Sequence, residues 1–418
     1  MWRKATYLAA LAAIALLAAS CGGSDDGGGG AGRETITIAW IGDRSGPTVV
    51  AQAPVLHGLE AYIRYTNDNG GVNGDRIKLL VKDDQYSPAK ELQLTKQAVE
   101  SDGAVLVTGL GQSSGIASIV PYLTQQQVPG LINQATLREV SDPFQEWMFE
   151  GNCNYSDQAD VALAYVMDRL GLETLEGKTV GVAGIEVASG QEWISIVRKR
   201  VEELGGRTVD VTLPAAIVSA DVQVQSLRNA NVDFILMHHA APGAIAMLKS
   251  MAKYGMTDTL VSGSFGVTNE NTWLQAPRST AKNFVGTNCY TPPALADSEI
   301  GRLAVETGEK YGYDAAEINQ MNWSLGWVNG MIIVEALKNA DGEYTGPAVK
   351  EGLEEIESLD TGGLSPTPNI SDDCHMAIRQ VRPYTFDYEK KQIQPIGDYE
   401  DWAQYVTNGY AAEGTCED

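Results

Sequence analysis

His238 and His239 stand side by side at the end of an apolar run, and they are two of only four histidines in 418 residues. Neutral imidazole binds metals and moves protons near pH 7, so such a pair invites a search for a metal or a general base. Adjacent residues on an extended strand point to opposite faces, which puts one ring in a cleft and the other in its wall. For His239 two roles stay open, hydrogen bonding to a solute and packing in the wall. Asp83 and Asp84 are also adjacent, but acids at a strand end more often cap a turn than act as a pair, and no metal or cofactor is expected. Gly109-Leu110-Gly111-Gln112-Ser113-Ser114 runs from an apolar strand straight into a helix. Its N–H groups and the hydroxyls of Ser113 and Ser114 suit an anion, with the helix dipole behind them; helix capping is the competing role for Ser113. Arg44 either pairs bidentately with a carboxylate or forms a surface salt bridge. Ser189, Glu186 and His239 assemble into a triad only on paper, and no nucleophile elbow, zinc-protease motif or phosphate-loop lysine occurs, so catalysis is not expected.

The elements that would hold these residues alternate short β-branched runs with amphipathic stretches, as in parallel sheets covered by helices. Strands are expected at Thr35–Ile41, Ile77–Lys82, Ala104–Thr108 and Val128–Ile132, with helices over Gln52–Thr66, after Ser87-Pro88 and from Ser113. Pro143 and Gly151 break the rhythm, so 142–153 reads as a first crossing between domains. A second set follows, with strands at Thr179–Ile185, Thr208–Leu213, Val232–Met237, Thr259–Gly263 and Phe284–Thr287. Beyond Pro292-Pro293 the pattern is helical through 299–311, 321–339 and 347–357, and a hairpin over Ala377–Tyr384 and Gln392–Ile396 is expected near the end. Two α/β halves imply a ligand crevice at the carboxyl ends of their strands.

Residues 1–20 read as an export signal, with Arg3 and Lys4 ahead of an apolar run too short to span a membrane. Leu17-Ala18-Ala19-Ser20-Cys21 resembles a bacterial lipobox, which implies lipidation of Cys21, and the glycine-rich stretch 21–33 would be a flexible tether. Four further cysteines suit an oxidising compartment and permit three pairings. The similar contexts Gly151-Asn152-Cys153-Asn154-Tyr155 and Gly286-Thr287-Asn288-Cys289-Tyr290 favour Cys153 with Cys289 and Cys374 with Cys416, free thiols being the alternative. Asp and Glu total 54 against 30 Lys and Arg, so phosphate backbones would be repelled and nucleic acid is an improbable partner.

Three segments, Ile38-Ala39-Trp40-Ile41-Gly42-Asp43-Arg44-Ser45-Gly46-Pro47, Asn69-Gly70-Gly71-Val72-Asn73-Gly74 and Val81-Lys82-Asp83-Asp84-Gln85-Tyr86-Ser87-Pro88, together resemble the type I periplasmic solute-binding proteins of branched-chain amino acid (Leu/Ile/Val) ABC importers. Their order and spacing match, as do Val107-Thr108-Gly109 with Ser113-Ser114 and Val232-Asp233-Phe234-Ile235. The resemblance runs from Glu34 and weakens after Gly362. It implies an α/β fold of two Rossmann-like lobes joined by a three-strand hinge, a small-molecule solute, permease subunits as partners and a monomer at the outer face of the membrane. The lobes would comprise 34–152 with 291–361, and 153–290 with 362–418. It further implies that the serine after the third strand holds a solute carboxylate. Asn133-Gln134-Ala135-Thr136 matches a second contact made by a backbone carbonyl and a threonine hydroxyl, which makes Asn133, Ala135 and Thr136 candidates.

One departure is informative. The family places an acid for the solute's ammonium shortly after the strand corresponding to Val232–Met237, and the matching position here is Gly243. Unless Glu186 supplies the charge, a buried ammonium would be unpaired, which is costly. The expected solute is therefore a carboxylate or amide without an α-amine, an aromatic one being an option, among Tyr155, His239, Phe265 and Tyr290. For Tyr155, hinge packing is the alternative role. Competing functions are an amino acid receptor of the same class, a sensor feeding a membrane receptor, and, least favoured, a secreted hydrolase.

Overall fold

Eight residues rich in β-branched Thr and Ile, Thr35–Gly42, form β1, and its buried positions Ile38, Trp40 and Ile41 explain why the run is apolar on both faces. In the computed structural model, which describes residues 35–407, 409–411, 415 and 416, β1 is the second strand of a five-stranded sheet. Its companions are β2 (Arg76–Asp83), β3 (Leu106–Gly109), β4 (Gly130–Ile132) and β5 (Met148–Glu150), in the order β2-β1-β3-β4-β5, all parallel. Cys21 and the stretches expected to be an export signal and a tether lie outside the described residues.

The second sheet has seven strands in the order β12-β11-β10-β9-β8-β6-β7. β6 (Thr179–Ile185), β7 (Arg207–Leu213), β8 (Phe234–His238), β9 (Leu260–Gly263) and β10 (Phe284–Asn288) run parallel. β11 (Arg382–Asp387) and β12 (Gln392–Pro395) add an antiparallel edge. In each sheet one strand is flanked by its successor on one side and a later strand on the other, β1 between β2 and β3, β6 between β7 and β8. These switch points leave a crevice at the strands' carboxyl ends. The architecture is the expected α/β fold of two lobes, each built on a largely parallel sheet.

After β10 the chain returns to the first lobe as the helix Met321–Asn339, buried on nearly every side and packed across the helix Val49–Asp68. The crossing depends on glycine, because a Cβ at Gly326 would come within 1.9 Å of the Val55 carbonyl and one at Gly58 within 2.2 Å of the Trp323 carbonyl. Three chain crossings meet between the lobes. Glu150 N–H donates to His375 O and Ala377 N–H to Glu150 O, while Thr291 N–H donates to Leu364 O. Cys153 and Cys289 are bonded across the first two crossings with Cα atoms 6.1 Å apart, and Cys374 is bonded to Cys416 at 4.6 Å.

Three expectations shift. The stretch 142–153 contributes β5 to the first sheet, because Met148, Phe149 and Glu150 are buried and extend the parallel register from β4. The late hairpin starts at Arg382, since the chain before it pairs with Glu150 at the hinge. The helix expected to reach residue 357 ends at Glu354.

Candidate functional site

The loops at the carboxyl ends of β1, β3 and β4 face those of β6, β8 and β9 across a narrow cleft. Its lining comes from Thr48, Ala51 and Gln52, from Tyr86, Gly111 and Gln134, and from Tyr155, Ile185, Ser189, His238, His239, Ala240, Phe265 and Gly266. None of these side chains is an acid, a lysine or an arginine. The lobes approach closely enough to leave about 50 Å³ of free space.

Direct hydrogen bonds close the gap. Ser113 Oγ accepts from the Ser189 N–H at 3.2 Å, and Ser114 Oγ accepts from the Ala188 N–H at 3.4 Å. Those donors are the first two residues of the helix Ala188–Glu203, whose positive end therefore points at the two lobe-one serines. Tyr155 crosses in the other direction and donates its hydroxyl to Gln134 O at 2.7 Å. Two further helices present their amino ends here, Tyr155–Leu170 and Ala241–Lys253. An anion in the cleft would be stabilised by these dipoles and by hydroxyls, with no cationic side chain in the lining.

His238 is the centre of a polar chain. Its Nδ1 lies 2.7 Å from Ser264 Oγ and its Nε2 3.0 Å from Ser189 Oγ. Complete burial pushes its pKa down to about 3, so the ring is neutral, with one nitrogen donating and the other accepting. Tyr155 stands edge-on to it at 4.6 Å between centroids and stacks on Phe265 at 6.1 Å, which makes one wall aromatic. His239 lines the cleft as well, but both of its nitrogens already have backbone partners. Nε2–H donates to Pro214 O at 3.1 Å and Nδ1 accepts from the Ala240 N–H at 2.8 Å. The His239 ring also covers Gly243, where an added Cβ would come within 2.2 Å of it. An acid at position 243 and His239 in this rotamer exclude one another.

Of the sequence candidates, Tyr155, His239 and Phe265 line the cleft, and Ser113 and Ser114 hydrogen-bond across the lobes to Ser189 and Ala188. Thr136 donates to Cys153 O at 3.2 Å, the Ala135 carbonyl accepts from Leu137 N–H, and Asn133 is buried with its carbonyl bonded to Asn152. These three brace the loop that presents Gln134. Tyr290 lies in the hinge, its hydroxyl donating to Gly151 O at 2.5 Å. Glu186 is exposed beside the helix Ala188–Glu203, and Arg44 is exposed with its backbone N–H on Asp83 Oδ1. Asp43, Asp83 and Asp84 gather within 4.8 Å, but Asp43 and Asp83 receive hydrogen bonds from Arg44, Ser45, Gln85 and Thr48, as turn-capping acids do. Sequence reasoning missed Thr48, Gln52, Tyr86, Gln134 and Ser189 as lining residues. Tyr86 and Ser189 follow strand ends, the general signal for a crevice; Thr48 and Gln52 sit at the start of a helix, where no local signal marks them.

The family model for periplasmic binding proteins matches residues 35–392. The Leu/Ile/Val-binding protein homolog 1 of Brucella melitensis is 23% identical over 235 residues, covering 56% of this chain and 62% of that relative. The chain thus spans less than two thirds of that curated relative's length. A branched-chain amino acid ABC transporter structure from Thermus thermophilus with bound valine superposes with a TM-score of 0.78 at 20% identity, over 88% of this chain and 96% of that one. An R. palustris ABC transporter solute-binding protein in complex with benzoate gives 0.74 at 16% identity, over 87% and 96%.

Proposed function

The chain belongs to the periplasmic binding protein family, and on that premise we propose that it is an exported receptor that captures a small carboxylate lacking an α-amine, with an aromatic ring, and delivers it to the permease of an ABC importer. Export and attachment to the outer face of the membrane through a lipid on Cys21 are part of the proposal, as is action as a monomer.

The observation that carries the reading is the lining itself. Every cleft side chain is uncharged, and the position matching the family's acid is a glycine under the His239 ring. An amino acid would bring an ammonium into this site with no counter-charge, a burial that costs several kcal/mol. A carboxylate meets hydroxyls and helix amino ends, and its ring meets Tyr86, Tyr155 and Phe265. Ligand cavities usually measure about 300–1,000 Å³, so the present closure is tighter than a liganded one. The solute's carboxylate replaces the Ser113–Ser189 and Ser114–Ala188 contacts and becomes the bridge between the lobes, so binding energy shifts the lobe equilibrium.

Titration calorimetry with benzoate, 4-hydroxybenzoate, phenylacetate, benzamide, leucine and valine tests this. Micromolar binding of an aromatic carboxylate, with no heat from leucine or valine, is expected. Micromolar leucine or valine with silent carboxylates would overturn it.

A further inference from the structure

Directly behind the serine turn lies a carboxyl group that the binding scheme has not used. Glu91, in the helix Pro88–Glu100, is fully buried. Its Oε1 accepts the Gln112 N–H at 3.0 Å, and its Oε2 has no hydrogen-bond partner. The same Oε2 occupies the space beside Gly115, where an added Cβ would come within 2.3 Å of it. One carboxyl thus touches both ends of the turn Gln112–Gly115, whose middle residues are Ser113 and Ser114. Gly115 N–H closes that turn on Gln112 O at 2.9 Å.

We propose that Glu91 is a positioning residue that must carry a proton for the cleft to hold an anion, so that above its pKa a solute carboxylate is captured together with a proton. The inference rests on the carboxylate reading given above and adds a thermodynamic coupling to it.

An ionised carboxylate here would have one N–H donor and no cation. The groups facing it are Asp84 and Tyr86 from the segment after β2, which in turn sense Asp43. Those acids add repulsion. The turn contributes the Gln112 backbone N–H, and Lys90, on the same helix, is exposed and bonded to Gln85. Burial accordingly pushes the Glu91 pKa well above the usual carboxylate range. Were Glu91 to ionise, its charge would sit behind the hydroxyls that must receive the solute anion, and like charges at that range disfavour each other strongly in a buried site. Protonated, it leaves the turn's hydroxyls and the helix ends free to favour an anion.

Linkage gives the sign. Carboxylate affinity is highest where Glu91 is protonated and falls as pH rises through its pKa, by up to about tenfold per pH unit for one coupled proton. A neutral amide feels no such dependence.

The test is titration of the full chain with benzoate and benzamide across acidic to alkaline pH, in two buffers of different ionisation heat, for wild type, Glu91→Gln and Asp84→Asn. Expected are a falling benzoate affinity with rising proton uptake in wild type and in Asp84→Asn, a flat profile in Glu91→Gln with affinity retained, and no pH trend for benzamide. A Glu91→Gln profile that follows wild type overturns the coupling. So does benzoate binding to wild type without proton uptake at any pH, a measurement that needs no variant to fold. Absence of benzoate binding at every pH, with benzamide bound, instead sinks the carboxylate reading and the coupling with it.

Discussion

At the scale of single residues, identity matters less than which atoms are already spoken for. His238 and His239 look equivalent in the sequence, and both line the cleft, yet His239 spends both nitrogens on backbone while His238 links Ser264 to Ser189. The difference has a measurable consequence. The folded-state pKa of His238 is depressed to about 3, so below its ordinary value of 6.5 the unfolded chain takes up a proton that the folded protein refuses. The stabilising effect of a neutral His238 is therefore present above pH 6.5 and is lost as pH falls toward 3. One proton corresponds to a slope of about 1.4 kcal/mol per pH unit. Urea unfolding at a series of acidic pH values is expected to show a shallower decline in stability for His238→Gln than for wild type. Parallel declines would mean that the imidazole is protonated in the folded protein. The serine turn was legible as a candidate anion site because glycine, a strand end and two hydroxyls occur together in sequence. Glu91 was not, since it reaches that turn from 21 positions away and only through folding.

Between elements, the decisive contacts are close approaches that a hydropathy pattern does not encode. The helix Met321–Asn339 was readable from its apolar run, and its bounds agree with that reading. Its partner was not readable, because the glycines that let it lie across the helix Val49–Asp68 look like helix-weakening residues when viewed locally. Alanine is favoured over glycine in a helix by about 1 kcal/mol, so propensity alone predicts that Gly326→Ala stabilises. The Val55 carbonyl at 1.9 Å from the added Cβ reverses that sign. Overpacking of about 1–3 kcal/mol should exceed the propensity gain, and a lowered urea midpoint with unchanged m-value is the expected result. The β5 segment shows the same limit. Pro143 and Gly151 mark a break in the sequence, but three buried residues between them are enough to extend a parallel sheet once β4 is beside them.

For the whole molecule, the hinge joins segments far apart in the chain. The Cys153–Cys289 bond closes a loop of 136 positions between two crossings, beside the Tyr290–Gly151 hydrogen bond and the Asn329 amide on the same carbonyl. Replacing both cysteines by serine is expected to lower stability by about 2–5 kcal/mol and to speed hydrogen exchange at Asn152 and Tyr290. Unchanged exchange there would show that the hydrogen bonds hold the hinge alone. The sequence by itself determined the succession of strands and helices and the strand-end crevice, because these follow from local periodicity and from residue types at short spacing, while the missing acid at Gly243 is read only from the family resemblance. Only the tertiary structure decided that the lobe-one serines meet the amino end of the helix Ala188–Glu203, that His239 covers Gly243, and that a buried carboxyl stands behind the serine turn. Those facts depend on side chains from distant segments competing for the same space and the same hydrogen bonds, and that competition exists only after the chain has closed on itself.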